Sequence, residues 1–96
     1  MGKAYVVGQI RVKDPGLWAE YKGKVPATLA PWGAQLVFRG SRLAVHAGTN
    51  PHPDIVVIRF PDAEAAAGWH ASAAYQALIP LRLRAADVVL TTYEES

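Results

Sequence analysis

The segment Asp54–Phe60, with the sequence DIVVIRF, decides the fold of this chain. Its central residues 55–58 are all apolar, so a strand built from them carries apolar side chains on both faces. A strand in a sheet that is open to water on one side alternates apolar and polar residues instead. The segment therefore predicts a strand that is covered on both faces.

Strand and helix signals precede this segment. Residues 4–13 are β-rich, and Asp14 and Pro15 then supply an N-cap and a first helical residue. Pro26 is expected to kink the following helix or to restart it, and Gly33 to end it. Apolar residues at helical spacing mark the buried side of this helix: Leu17, Trp18, Tyr21, Val25 and Leu29.

Further strands and a second helical region complete the pattern. Residues 34–40 are expected to form a strand, residues 42–47 a short extra strand, and residues 87–93 the last strand. The second helical region opens at Asp62 and restarts at Ser72, whose hydroxyl would cap the next turn. The order β-α-β-β-α-β is the ferredoxin-like pattern. It predicts an α+β fold, with two helices on one face of a four-stranded antiparallel sheet.

The other face of this sheet has no helix left to cover it. Val7, Val37, Ile55 and Val57 lie on the opposite strand phase from the residues that face the helices. A domain of this size buries only roughly 60–65% of its unfolded surface, so it gains stability by pairing. The sequence therefore predicts a homodimer that pairs through the sheet faces and encloses a shared barrel interior.

Composition excludes several classes of function. The 96 residues suit one domain spanning residues 1–96, and the absence of cysteine excludes disulfides and thiolate zinc sites. The start of the chain has no signal-peptide pattern, and no apolar run is long enough to cross a membrane, so a cytoplasmic protein without a membrane partner is expected. The net charge of +2 comes from scattered basic residues, which argues against a nucleic-acid partner.

Polar residues on the strands suggest a binding cleft. Gln9, Arg39 and Arg59 share the phase of the uncovered face, and would line the space between the sheet and a partner. A guanidinium in a partly apolar cleft favours a carboxylate or enolate ligand. The alternative is structural, since such arginines also reach into water or pair with acids of a partner subunit.

Residues 69–82, with the sequence WHASAAYQALIPLR, concentrate the remaining candidates. His70 is a candidate general base and Tyr75 a second proton carrier, while Trp69 and Arg82 are candidate ligand contacts. Alternatively, His70 is a hydrogen-bonded interface residue, and both Trp69 and Tyr75 belong to the core. No spacing of histidines or acids is typical of a metal site, so neither a metal nor a cofactor is expected.

A set of residues lies in order along nearly the whole chain: Asp14, Pro15, Tyr21, Pro26, Gly33, Arg39, Gly40, Trp69, Ser72, Tyr75, Gln76, Arg82 and Asp87. In these residues and their order the chain resembles the domain-of-unknown-function 1330 family of bacteria. The resemblance implies a dimeric α+β barrel. That superfamily also holds cofactor-free monooxygenases, muconolactone isomerases, chlorite-dismutase-like haem proteins and small-molecule-binding modules, so the fold implies no single function.

Two functions are compatible with these observations. The first is a non-catalytic homodimeric module that binds a small ligand, such as an acidic or aromatic one, or that serves only as a stable accessory protein. The alternative is a cofactor-free enzyme, similar to a monooxygenase or an isomerase, that acts on a small aromatic or acidic metabolite. In the enzyme, Arg39 would hold the anion while His70 or Tyr75 moves a proton. We expect Arg39, His70 and Tyr75 to border one pocket beside the sheet, and this is the only constellation that supports the enzyme.

Overall fold

The computed structural model describes residues 2–96, which form one antiparallel sheet with helices packed against it. The strands have the order β2-β3-β1-β4, and every neighbouring pair is antiparallel. This is the predicted ferredoxin-like α+β arrangement. The elements are β1 (Ala4–Val12), α1 (Pro15–Leu29), β2 (Gln35–Ser41), β3 (Asp54–Phe60), α2 (Ala63–Ala71), α3 (Ala73–Gln76), α4 (Ile79–Ala85) and β4 (Ala86–Glu94).

Helix α1 begins where the sequence predicts but does not break at Pro26. The Asp14 carboxylate accepts a hydrogen bond from the backbone N–H of Leu17 at 3.1 Å. The helix continues through Pro26, which is exposed and whose own carbonyl accepts from the N–H of Ala30. The expected restart is therefore wrong. Proline has no backbone N–H, so one carbonyl in the preceding turn of the helix loses its donor. At an exposed position, water can donate to that carbonyl instead.

The second helical region is divided into three pieces, one more break than the sequence predicts. The Ser72 hydroxyl oxygen accepts from the backbone N–H of Tyr75 at 3.3 Å and donates to the carbonyl of Trp69 at 2.6 Å. The predicted cap is thus confirmed, and the same side chain also closes the end of α2. A further break precedes Pro80, which lies in the first turn of α4.

The extra strand expected over residues 42–47 does not form. The pairing of β2 with β3 ends at Ser41 opposite Asp54, and beyond it one backbone hydrogen bond joins the Arg42 N–H to the Pro53 carbonyl at 2.7 Å. Residues 42–50 are exposed, and Leu43 is fully so. Without a neighbouring strand to pair with, β-propensity alone does not make a strand.

A β-bulge in β2 changes which side chains face the helices. Leu36 lies opposite Ile58, but Phe38 lies opposite Val57, so β2 advances two residues while β3 advances one. Such an extra residue reverses the side-chain phase of everything after it. Phe38 therefore shares the uncovered face with Val57. Arg39 shares the helix-side face, so the phase predicted for Arg39 is wrong.

The core lies between the helices and one face of the sheet. Its buried residues are Ala4, Val6, Tyr21, Ile58, Phe60, Ala66, Trp69 and Tyr75. The opposite face is exposed in the single chain and carries apolar side chains, among them Phe38, Val89 and Tyr93, each about half exposed. No helix of residues 2–96 combines the length and the apolar character that crossing a membrane requires.

Candidate functional site

A cavity of about 630 Å³ lies between helix α1 and the helix-side face of the sheet. Its volume falls within the range of small-molecule sites in proteins. Gly8 lies in the cavity wall, where a Cβ atom would come within 2.9 Å of the Val56 side chain. Most of the wall is apolar: Ile10, Trp18, Val25, Leu29, Leu36, Val56, Ile58, Trp69, Val88 and Leu90.

Arg39 is the cation that β2 contributes to this cavity. It lines the wall because the bulge turns it to the helix side, and its side chain remains exposed. Asp54 and Lys22 also line the cavity, yet Arg39 forms no ion pair within residues 2–96. An apolar cavity with one available guanidinium suits a ligand that carries a carboxylate.

Two tyrosine hydroxyls and an arginine are linked next to the cavity. The hydroxyl oxygens of Tyr21 and Tyr75 lie 2.8 Å apart, and Arg82 Nη1 donates to the Tyr75 hydroxyl at 2.7 Å. Tyr21 lines the cavity, whereas Tyr75 is completely buried behind it. Burial raises the pKa of the Tyr21 hydroxyl well above its ordinary value, while the Arg82 cation opposes this rise. Tyr21 is therefore a protonated hydrogen-bonding group at physiological pH.

Trp69 forms part of the cavity wall and is held by its own hydrogen bond. Its indole N–H donates to the Thr28 hydroxyl at 3.0 Å, and that hydroxyl donates to the carbonyl of Val25 at 2.7 Å. The Trp69 ring packs against Tyr75 with 4.2 Å between ring centroids. On the α1 side, Trp18 stacks on Tyr21 at 5.2 Å. The aromatic walls are thus fixed in place rather than free to rotate.

The sequence-predicted site residues divide over three locations. Arg39 and Trp69 line the cavity. Tyr75 and Arg82 do not line the cavity but are connected by hydrogen bonds to Tyr21, which does. The structure therefore joins four of the seven candidates to one cavity, on the opposite side of the sheet from the cleft that the sequence predicts.

His70 does not line the cavity. Its side chain is exposed on α2, 5.7 Å from the Tyr75 ring between centroids, and its backbone carbonyl accepts from Gln76 Nε2 at 2.7 Å. No hydrogen bond to a carboxylate of residues 2–96 orients its imidazole. The structure thus does not bring Arg39, His70 and Tyr75 around one pocket.

The other two candidates lie on the uncovered face of the sheet. Gln9 lies opposite Ile55 on this face. Arg59 lies opposite Tyr5 and donates a hydrogen bond to the side-chain carbonyl of Gln35. Neither residue lines the cavity, and both lie on the face that the sequence predicts to pair with a second subunit.

Sequence reasoning did not identify Tyr21 as a site residue. The helical spacing of Trp18 and Tyr21 favours the apolar side of α1, and the structure places both side chains there. Its hydroxyl partner, Tyr75, is 54 positions away, beyond the reach of any local spacing rule. A polar tip on an otherwise buried aromatic residue is the one signal that points to such a partner.

Comparisons with known proteins place the chain among small ferredoxin-like proteins. A protein of unknown function from Rhodopseudomonas palustris has a TM-score of 0.81 at 15% identity, covering 99% of this chain and 83% of that one. A dimeric ferredoxin-like protein of unknown function from Jannaschia sp. CCS1 has a TM-score of 0.76 at 12% identity, covering 98% and 100%. SnoaB, a cofactor-independent oxygenase from Streptomyces nogalater, has a TM-score of 0.69 at 11% identity, covering 100% and 95%.

At these identities the structural neighbours show a common fold and no more. No functionally curated protein matches the chain. The model of one protein family, described as a domain of unknown function (DUF1330), matches residues 3–95. The match spans nearly the whole sequence, so the chain belongs to the DUF1330 family.

Proposed function

We propose that this protein is a homodimeric module that binds a small acidic compound with an aromatic or otherwise flat apolar body. The observation that carries the proposal is the cavity of about 630 Å³, which has apolar walls and a guanidinium that forms no ion pair with residues 2–96. A site of this kind buries the body of a ligand and uses a few polar groups to orient it.

The aromatic walls support a flat ligand body. Trp18 and Trp69 line the cavity from two different helices, and each is packed against a tyrosine ring. Aromatic rings prefer offset-stacked or edge-to-face contacts with another ring. Trp18 is only partly buried, so its indole favours contact with an aromatic or conjugated ligand over a flexible aliphatic one, whereas Trp69 is almost completely buried and supports the wall.

The position of Arg39 supports an acidic group on that ligand. A carboxylate can accept two parallel hydrogen bonds from one guanidinium. Asp54 also lines the cavity and disfavours a second negative charge near itself. A single carboxylate next to Arg39, with the apolar body directed inward, satisfies both residues.

The uncovered sheet face supports the dimer. It exposes Phe38, Val89 and Tyr93, and β3 places Ile55 and Val57 on the same surface. An exposed apolar surface of this kind is typical of a protein–protein interface. The neighbour from Jannaschia sp. CCS1, which has the same fold, is described as dimeric. A second copy of this chain is therefore the partner we propose for the face.

A cofactor-free enzyme is the second candidate, and the fold neighbour SnoaB, a cofactor-independent oxygenase, favours it. The hydroxyls of Tyr21 and Tyr75 would then hold or move a proton beside the bound substrate. His70 is not part of this arrangement, because it lies on the exposed side of α2. Oxygen consumption or product formation with a ligand that the binding module accepts would identify the enzyme.

Binding can be measured through the fluorescence of the cavity tryptophans. Benzoate and 2-naphthoate should change this fluorescence and raise the melting temperature, since a ligand that binds only the native state stabilises it. The uncharged amides of both compounds should bind more weakly. Arg39→Ala should weaken the binding of both carboxylates by about 1.5 kcal/mol and should leave the binding of the amides unchanged. This value is the lower end for a hydrogen bond to a charged group, because Arg39 is exposed.

Arg84→Ala is the matched control, because Arg84 is an exposed arginine of α4 outside the cavity. It should leave the affinity for both carboxylates unchanged. Equal binding of acids and amides to the wild-type protein would contradict an acidic ligand. The absence of any binding would contradict the proposed function itself.

A further inference from the structure

We infer that the Tyr21 hydroxyl donates a hydrogen bond to an oxygen of the ligand, and that Tyr75 and Arg82 strengthen this bond. The inference rests on the proposed binding function and narrows the ligand class. The ligand would carry, apart from its acidic group, an oxygen that holds or gains negative charge, such as that of a phenolate, an enolate or a conjugated ketone.

The first step is to follow the hydroxyl protons. A tyrosine hydroxyl has one proton to donate, and an arginine only donates. The Tyr75 oxygen therefore accepts from Arg82, at 2.7 Å. The bond between Tyr75 and Tyr21, at 2.8 Å, can run in either direction on geometry alone.

Burial decides the direction of that bond. If Tyr21 donated to Tyr75, the Tyr75 proton would have no acceptor within residues 2–96, on a side chain that is 0% exposed. An unsatisfied buried donor is costly, whereas a donor next to a cavity can find an acceptor there. Tyr75 therefore donates to Tyr21, and the Tyr21 proton is the one left without an acceptor among residues 2–96.

The position of Tyr21 determines where its acceptor must come from. Tyr21 lines the cavity, while Tyr75 and Arg82 do not. Its ring is held against Trp18, 5.2 Å away between centroids. An acceptor for the Tyr21 proton therefore comes from the contents of the cavity, which is where the proposed ligand binds.

The chain of donors makes this hydrogen bond stronger than that of an isolated tyrosine. Arg82 is a cation without an ion-pair partner among residues 2–96, so no carboxylate there neutralises its effect on Tyr75. Hydrogen bonds in series polarise one another, and those that start from an ionised group are the strongest. Since burial also raises the pKa of Tyr21, its hydroxyl remains a donor at neutral pH.

Three probes of similar size test the inference: 4-nitrophenolate, nitrobenzene and benzoate. The wild-type protein should bind 4-nitrophenolate more tightly than nitrobenzene, and should lower the pKa of the bound nitrophenol, which its visible absorbance reports. Tyr21→Phe should lower the affinity for 4-nitrophenolate roughly tenfold, because one hydrogen bond to a charged group is lost. The affinity for nitrobenzene should stay unchanged.

Tyr75→Phe separates the polarising group from the donor. It keeps the ring that packs against Trp69 and removes only the hydroxyl between Arg82 and Tyr21. The preference for 4-nitrophenolate over nitrobenzene should fall several-fold. Arg82→Gln removes the cation instead and should lower the same preference. This second variant tests the role of the donor chain even if Tyr75→Phe does not fold. Thr49→Val, which removes a hydroxyl from the exposed loop after β2 outside the cavity, is the control and should change nothing.

The outcomes distinguish the inference from the function on which it rests. If none of the three probes binds the wild-type protein, the proposed function fails and the inference fails with it. If benzoate and nitrobenzene bind but Tyr21→Phe leaves the preference for 4-nitrophenolate intact, the binding function stands and the inference is overturned. A preference that falls in Tyr21→Phe but stays intact in Tyr75→Phe and Arg82→Gln overturns the polarising role of these two residues.

Discussion

The hydroxyl oxygens of Tyr21 and Tyr75 lie 2.8 Å apart, although the two residues are separated by 54 positions in the sequence. Their bond connects α1 to α3 through the core, and Arg82 of α4 donates to the same Tyr75 hydroxyl at 2.7 Å. Three helices thus meet at two buried oxygens, next to a cavity that one of the two tyrosines lines. The stability of the fold and the chemistry of the candidate site depend on the same bond.

Removing either hydroxyl should destabilise the protein. Tyr21→Phe leaves the buried Tyr75 proton without its acceptor, and should lower the free energy of unfolding by about 1–3 kcal/mol. Tyr75→Phe should have a smaller effect, because Arg82 is only partly buried and water can reach it. Urea denaturation of both single variants and the double variant should show coupling of about 0.5–1.5 kcal/mol. If the two single changes in the free energy of unfolding simply add up in the double variant, the hydrogen bond between the two hydroxyls does not contribute to stability.

The raised pKa of Tyr21 should make stability fall at high pH. The folded state holds the proton more tightly than the unfolded state, whose tyrosine titrates near pH 10. The stabilisation is therefore complete below about pH 10 and is lost as pH rises above it, because the unfolded chain loses the proton first. Urea denaturation from pH 8 to pH 11 should show this loss. Tyr21→Phe should reduce the slope, whereas an unchanged slope would assign the loss to other groups.

Gly68 and Gly23 should respond in opposite directions to alanine. A Cβ atom at Gly68 of α2 would lie 2.5 Å from the Trp32 ring, so Gly68→Ala should cost about 1–3 kcal/mol through overpacking. At Gly23 of α1 nothing lies within 4 Å of the added atom, so Gly23→Ala should stabilise the protein by about 0.5–1 kcal/mol through helix propensity. Thermal unfolding measures both. Stabilisation by Gly68→Ala would mean that the ring moves aside freely.

The sheet-face dimer predicts that a charge at Val57 disrupts assembly. Val57 lies between Val7 and Phe38 on the uncovered face, where Val57→Glu would bury an unpaired carboxylate in the interface. Light scattering at micromolar concentration should give a dimer for the wild-type chain and a monomer, or an unfolded chain, for the variant. Ala19→Glu, which adds the same charge on the exposed side of α1, should remain dimeric. A monomeric wild-type protein would contradict the proposed interface.

The sequence alone determined the element order and several element ends. Asp14 and Ser72 cap the turns that follow them, and Gly33 ends the first helical region at a positive φ of 67°. Strand β3 has its predicted bounds, Asp54–Phe60. These features depend on neighbours within a few residues, because a cap reaches three residues along the chain and strand phase repeats every two.

The tertiary structure alone decided where the candidate site lies. The bulge before Phe38 depends on how β2 aligns with β3, and this one extra residue moved Arg39 from the partner side of the sheet to the cavity side. Likewise, Tyr21 and Tyr75 became a site because the packing of α1 against α3 and α4 brought two distant hydroxyls together. Strand register and helix packing are set by contacts between distant parts of the chain, and so local sequence patterns identified these residues without showing which of them meet.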